Sequence, residues 1–257
     1  MRKSFVLPIL AVLGVAFPAA AGAGIFHGVV VAKQSGRHAL VMASQTGAVH
    51  TIKTKRTGIS VGSRLDARAA APSHGVYRAT KITSRGHATR ARVRAVVVRN
   101  MHSKLLVSAG HSSFAIKTAR SLSANLRRGD IVDAHLKISK SGGIEADDVD
   151  DVGDADTIEL EGTLVSVTAP TATQSGSLTV QVGGLSFDVV VPIGFDVSGL
   201  TPGDRVEVKA IVDGTTLTLV KVESEDDQGD DDQGDDDQGD DDGGDDDGGG
   251  DDGGGDD

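Results

Sequence analysis

The sequence predicts an all-β protein of three tandem small barrels, five strands each, followed by an acidic tail. Three observations predict it. Apolar and polar residues alternate with period two in short runs along the body. The runs recur in the same order three times. No window of a dozen residues carries a helical apolar stripe.

The first strand of each copy reads HGVVVAKQ from His27, RAVVVRNM from Arg94 and EGTLVSVT from Glu161. Gly28, Ala95 and Gly162 are 67 residues apart, twice. A second landmark is a glycine before an alternating strand, in GSRLDARA, GDIVDAHL and GDRVEVKA. Gly62, Gly129 and Gly203 are 67 and then 74 residues apart, and the loop TAPTATQSG of the third copy accounts for the difference. In this strand Leu65, Val132 and Val206 share one face with Ala67, Ala134 and Val208. Asp66, Asp133 and Glu207, then Arg68, His135 and Lys209, share the other. The leading glycine permits a close backbone approach or a positive φ.

A closing strand aligns at Ala79 and Ile82, Ala146 and Val149, and Leu219 and Val222. The remaining strands are HALVMA and VHTIKT, KLLVSA and SFAIKT, and LTVQV and LSFDVVVP. ARSLSANLRRG has the pattern of a short helical turn. Each copy thus holds about five strands in roughly 60–67 residues, near the lower limit for an independent domain. Closure removes exposed strand edges, so each copy reads as an OB-like barrel: residues 24–86, 89–152 and 157–224. Fewer, larger β-sandwiches shared between copies are the alternative.

The third copy, LEGTLVSVT through LSFDVVVP to LTPGDRVEVKAIVDGTTLTLVKVES, resembles a family of small OB-like domains of unknown function in exported bacterial proteins. The resemblance rests on Gly162, on Leu200, Gly203, Asp204, Val206 and Val208, and on Leu217 and Val222. The second copy keeps Leu126, Gly129, Asp130 and Val132; the first has Ser63 where the family has Asp. The resemblance implies a fold and carries no activity.

Residues 1–23 have the parts of a secretory signal peptide: Arg2 and Lys3, an apolar run from Phe5 to Phe17, and Ala21-Gly22-Ala23. The mature chain is expected to begin near Gly24 and to be secreted or held in the cell envelope. No later stretch is apolar for long enough to span a bilayer. There is no cysteine, which excludes disulfides, thiolate metal sites and cysteine nucleophiles.

Charge is strongly segregated. From Gly24 to Lys140 there are 21 Lys+Arg against Asp66, Asp130 and Asp133. From Ser141 to Ser224 there are 3 basic and 15 acidic residues, and residues 225–257 add 18 Asp and Glu225. The basic front half points to an extracellular polyanion or envelope component as partner. Nucleic acid is the less favoured partner. Single-strand binding needs aromatic stacking platforms, and the first two copies offer only Phe26, Tyr77 and Phe114. The two phenylalanines are expected in the core.

No G-x-S-x-G, H-E-x-x-H, phosphate-loop or dinucleotide pattern occurs, so the chain is expected to be non-enzymatic, with no catalytic residue and no cofactor. His27, His38, His50, His74, His87, His102, His111 and His135 form no i, i+2 or i, i+4 pair, so they read as surface residues rather than metal ligands. The segment DVDDVGDADTIE, Asp148–Glu159, partly fits a calcium loop through Asp148, Asp150, Gly153, Asp156 and Glu159, with Val152 where an oxygen is needed. The tail repeats glycine every five residues from Gly229 to Gly254 and has no apolar residue, so it is expected to be disordered. Its charge suggests that it masks the basic copies. The function expected is a secreted, non-enzymatic binding or structural module. The alternative is a calcium-responsive protein using the Asp148–Glu159 linker and the tail.

Overall fold

The computed structural model describes residues 24–224 apart from Ala71, Ser73 and His74. The expected leader, the acidic tail and His74 therefore lie outside the described residues. The first copy contains β1 (Gly24–Gln34), β2 (Ala39–Ala43), β3 (Val49–Lys53), β4 (Ser63–Ala69) and β5 (Val76–His87). The second contains β6 (Arg90–Asn100), β7 (Lys104–Ala109), β8 (Ser112–Thr118), β9 (Asp130–Ile138) and β10 (Ile144–Asp154). The third contains β11 (Thr157–Thr168), β12 (Gly176–Val182), β13 (Leu185–Val191), β14 (Arg205–Asp213) and β15 (Thr216–Ser224). Among the described residues the one α-helix, α1 (Arg120–Ser123), falls in the segment with the helical-turn pattern.

The strands close into rings of one topology. The first strand lies beside the second, the second beside the third, the third beside the fifth, and the fifth beside the fourth, which returns to the first. The third and fifth strands run parallel in every copy. This is an OB-like order, and the 67-residue spacing is its register. Gly28 pairs with Leu65, Ala95 with Val132 and Gly162 with Val206. The first strand bulges at the same repeat position each time, between Val30 and Ala32, Val97 and Arg99, and Leu164 and Ser166. The closing strand also bulges, between Ala79 and Lys81, Ala146 and Asp148, and Leu219 and Lys221. An extra residue there turns the expected spacing of two into the observed spacing of three.

The leading glycine of the fourth strand has a positive φ in all copies: 90° at Gly62, 93° at Gly129 and 105° at Gly203. Its N–H donates to the bulged first strand, at Val30, Val97 and Leu164. The next residue closes the turn. Asp130 accepts from Arg127 N at 2.6 Å, Asp204 from Thr201 N at 2.7 Å, and Ser63 Oγ from Ser60 N at 3.3 Å. Ser63 thus replaces the carboxylate with a longer contact of the same kind.

Each ring is filled by the inward residues of its own strands, but two core clusters extend further. Val31, Val41 and Ala43 of the first copy join the cluster around Val93, Val107 and Leu136 of the second. Val98 and Leu106 of the second join the cluster around Leu160, Phe187 and Val208 of the third. The copies are therefore cemented in sequence by apolar side chains.

Candidate functional site: barrel faces and the junction between barrels

OB-type barrels take ligands on the face of their second and third strands. In the first copy that face is covered. Every residue of β2 is buried, because Leu40 and Met42 fill its own barrel while Val41 and Ala43 pack on the next. β7 repeats this from Leu105 to Ser108. In the third copy the face is open. β12 alternates, with Ser177 and Gln181 exposed and Thr179 half-buried. Val165, at the repeat position of buried Val31 and Val98, is 49% exposed.

A basic surface is concentrated on the first copy. Residues 24–87 hold ten Lys+Arg and one acid, Asp66. Arg64 and Arg68 on β4 and Arg78 and Lys81 on β5 are exposed, and Arg68 lies opposite Lys81 in the ladder. Asp66 is held below the usual carboxylate range by His27 Nδ1, at 2.6 Å, and by Arg85. The second copy, residues 89–152, is less basic, with 11 Lys+Arg against seven acids. Its last strand, β10, is acidic and pairs with β9. Glu145 faces Lys137, Asp148 faces His135, and Asp147 sits 3.3 Å from Lys137 Nζ. Arg92 grips Asp133 through both nitrogens, at 2.7 Å for Nε, and holds that carboxyl low.

Segments from all three copies meet at a polar junction. The register places Glu161 directly opposite Glu207, where the first copy has His27 opposite Asp66 and the second Arg94 opposite Asp133. Opposed carboxylates repel, and cations from the first and third copies engage Glu161. Glu161 is 2.9 Å from Arg37 Nη1 and 3.0 Å from Arg205 Nη2, and the Arg37 and Glu161 side chains are almost fully buried. Gln34 Nε2 donates to Glu161 and, at 3.0 Å, to Ser112 Oγ. Thr51 Oγ1 donates to the Gly110 carbonyl at 2.6 Å.

Beside them, His111 Nδ1 lies 2.8 Å from Glu207 Oε1 and 3.7 Å from Glu159 Oε2. The hydrogen bond to Glu207 holds this imidazole above its ordinary pKa, against partial burial. His111 adopts a φ of 60° at the tip of the β7–β8 turn. Its ring packs on the backbone of Gly75, where any Cβ would collide with it.

A shallow cleft of about 230 Å³ opens on the first barrel between Ile25, Phe26, Met42 and His50. Phe26 packs at tilted angles on His50 and on the buried Tyr77, with ring centroids 4.7 and 4.4 Å apart, and His50 meets Tyr77 edge-on at 5.7 Å. Burial pushes the His50 pKa down. Phe26 is half-buried rather than a core residue, whereas Phe114 is buried as expected.

The linker is strand and not the turn that a twelve-residue calcium loop requires. Asp148–Asp154 belongs to β10 and pairs with β9, and Thr157 already begins β11. The extended backbone, rising about 3.3 Å per residue, spaces these carboxylates along the strand instead of gathering them around one point. Glu159 goes to the junction instead. Of the expected surface histidines, His38, His87, His102 and His135 are exposed, as is His27 beside Asp66. His111 is not of that kind, and no local sequence spacing marks its partners.

No family model and no curated protein matches the chain. Among solved structures it is similar to the single-stranded DNA binding protein from Thermus aquaticus, at 9% identity and a TM-score of 0.26, over 78% of this chain and 90% of that one. It is similar to Drosophila Unr CSD456 at 11% identity and a TM-score of 0.23, over 80% and 98%. A multidomain protein with nucleic acid binding domains from Streptococcus pneumoniae shares 12% identity at a TM-score of 0.21, over 77% and 73%. Similarity at this level carries no argument about what this chain binds.

Proposed function

We propose that this protein is an exported, non-enzymatic binding module of three tandem OB-like barrels, related to the exported bacterial family its third copy resembles. Its first barrel holds an extracellular or envelope polyanion. The observation that carries this reading is the exposed β4–β5 face, with Arg64, Arg68, Arg78 and Lys81 on one barrel. The second barrel contributes less, since its Lys137 and Arg92 are already paired with Asp147 and Asp133. No described helix is long and apolar enough to cross a membrane.

Heparin, as a model polyanion, tests the assignment. Arg68→Glu combined with Lys81→Glu should abolish most of the binding at low salt, while Arg90→Glu should have a smaller effect. Equal losses from the two changes would place the ligand elsewhere. Binding should weaken steeply with salt, because exposed charges are screened beyond about 8–10 Å. The chain also carries its own polyanion, residues 225–257. A chain ending at Ser224 should bind heparin more tightly at low salt; unchanged affinity rejects masking by the tail. Single-stranded DNA is the contrasting ligand. Binding that depends on Phe26 more than on Arg68 would shift the partner class to nucleic acid.

A further inference from the structure

We propose that His111, Glu159 and Glu207 form a binding site for a divalent transition-metal ion of the zinc class, with one position left for water. One potential ligand atom from each residue lies within 4.8 Å of the other two, the one such cluster among the described residues. The donor set is one imidazole nitrogen and two carboxylate oxygens. Imidazole suits zinc, copper and nickel, and three protein ligands with a fourth open position is a recurrent zinc arrangement. Calcium takes six to eight oxygens, so this is a different site from the linker loop that the sequence suggested.

The groups around the cluster favour this assignment. The ring of His111 packs on Gly75, while its Nδ1 faces Glu207. The third carboxylate nearby, Glu161, is engaged by Arg37, Arg205 and Gln34. Glu207 lies opposite Glu161 in the ladder, so a cation bound to Glu207 relieves the repulsion between them. Lys209, opposite Glu159, is the competing cation. His111 belongs to the second barrel and both glutamates to the third, so the ion would clamp the two barrels together. An ion that binds the folded chain and not the unfolded one raises its stability.

The test uses the full chain. Zinc should raise the Tm of the wild type. Cobalt(II), as a spectroscopic substitute, should give the intense visible absorption of a four- or five-coordinate nitrogen–oxygen site. His111→Ala should lose both signals. Glu159→Gln, at a partly exposed position, keeps the test valid if His111→Ala fails to fold, and should weaken cobalt binding about tenfold or more. A cobalt spectrum showing only weak six-coordinate absorption, unchanged in His111→Ala, would assign the metal to the tail carboxylates and overturn the proposal. So would an undiminished affinity in Glu159→Gln.

Discussion

β7 and β12 occupy the same place in barrels of the same topology, yet one is buried on both faces and the other on one. KLLVSA runs apolar from Leu105 to Val107, and SLTVQV alternates. Leu106 is 2% exposed because it packs on the third barrel, whereas Thr179 at the matching position hydrogen-bonds Asp188 at 2.8 Å on an open face. A continuous apolar run in a strand therefore marks a face that another layer covers. The third barrel ends the stack: its outer face offers Thr163, Thr179 and Gln181 where the second has Val96, Leu106 and Ser108. Terminal repeats of stacked arrays turn polar on their outer side for the same reason.

The comparison can be broken at several points. The largest effect is expected at the junction. Glu161→Ala leaves the buried Arg37 without its carboxylate and should cost about 3–5 kcal/mol in urea unfolding. A loss below that of an ordinary surface change would mean that the first and third barrels do not depend on this contact. Leu106→Ala should cost about 2–5 kcal/mol, while Thr179→Ala should stay within about 0.5 kcal/mol. Similar costs at the two positions would refute the difference between covered and open faces.

Next in size is Gly162→Ala. Its Cβ would strike the Gln181 carbonyl, and overpacking of this kind costs about 1–3 kcal/mol. Ala95 shows that the second barrel accommodates a methyl at that register, so Ala95→Gly should cost less.

The smallest effect fades in acid. Arg92 holds the Asp133 pKa in the folded state below the ordinary aspartate value of 3.8. The stability this contributes is therefore present above that value and lost as pH falls through the lower folded pKa. Urea midpoints of wild type and Asp133→Asn should converge below pH 3.8 and separate above it. Parallel curves at all pH values would show that Asp133 and Arg92 do not couple to folding.

Much of the fold could be read from local patterns. The inward faces of Leu65, Val132 and Val206 and the glycine turns were visible because strand periodicity and positive φ act within a few residues. The bulges at the closing strand were present as the odd spacing of Ala79 and Ile82, without their cause. The sites were less legible. Asp148–Glu159 looks like one acidic loop, but pairing with β9 distributes its carboxylates along a strand and delivers Glu159 to a different neighbour. His111 had no partner in sequence because Glu207 lies 96 residues away.

By itself, then, the sequence determined the repeat, the strand register, the charge segregation and which strands need cover on both faces. These follow from side-chain alternation and backbone sterics, which are local. Only the tertiary structure decided that Arg37, His111, Glu161 and Glu207 meet. That encounter depends on how whole barrels pack, through Val31 and Val41 on one neighbour and Val98 and Leu106 on the next. A small set of apolar contacts thus fixes where charges from separate barrels converge, and no residue's own neighbours in the chain record it.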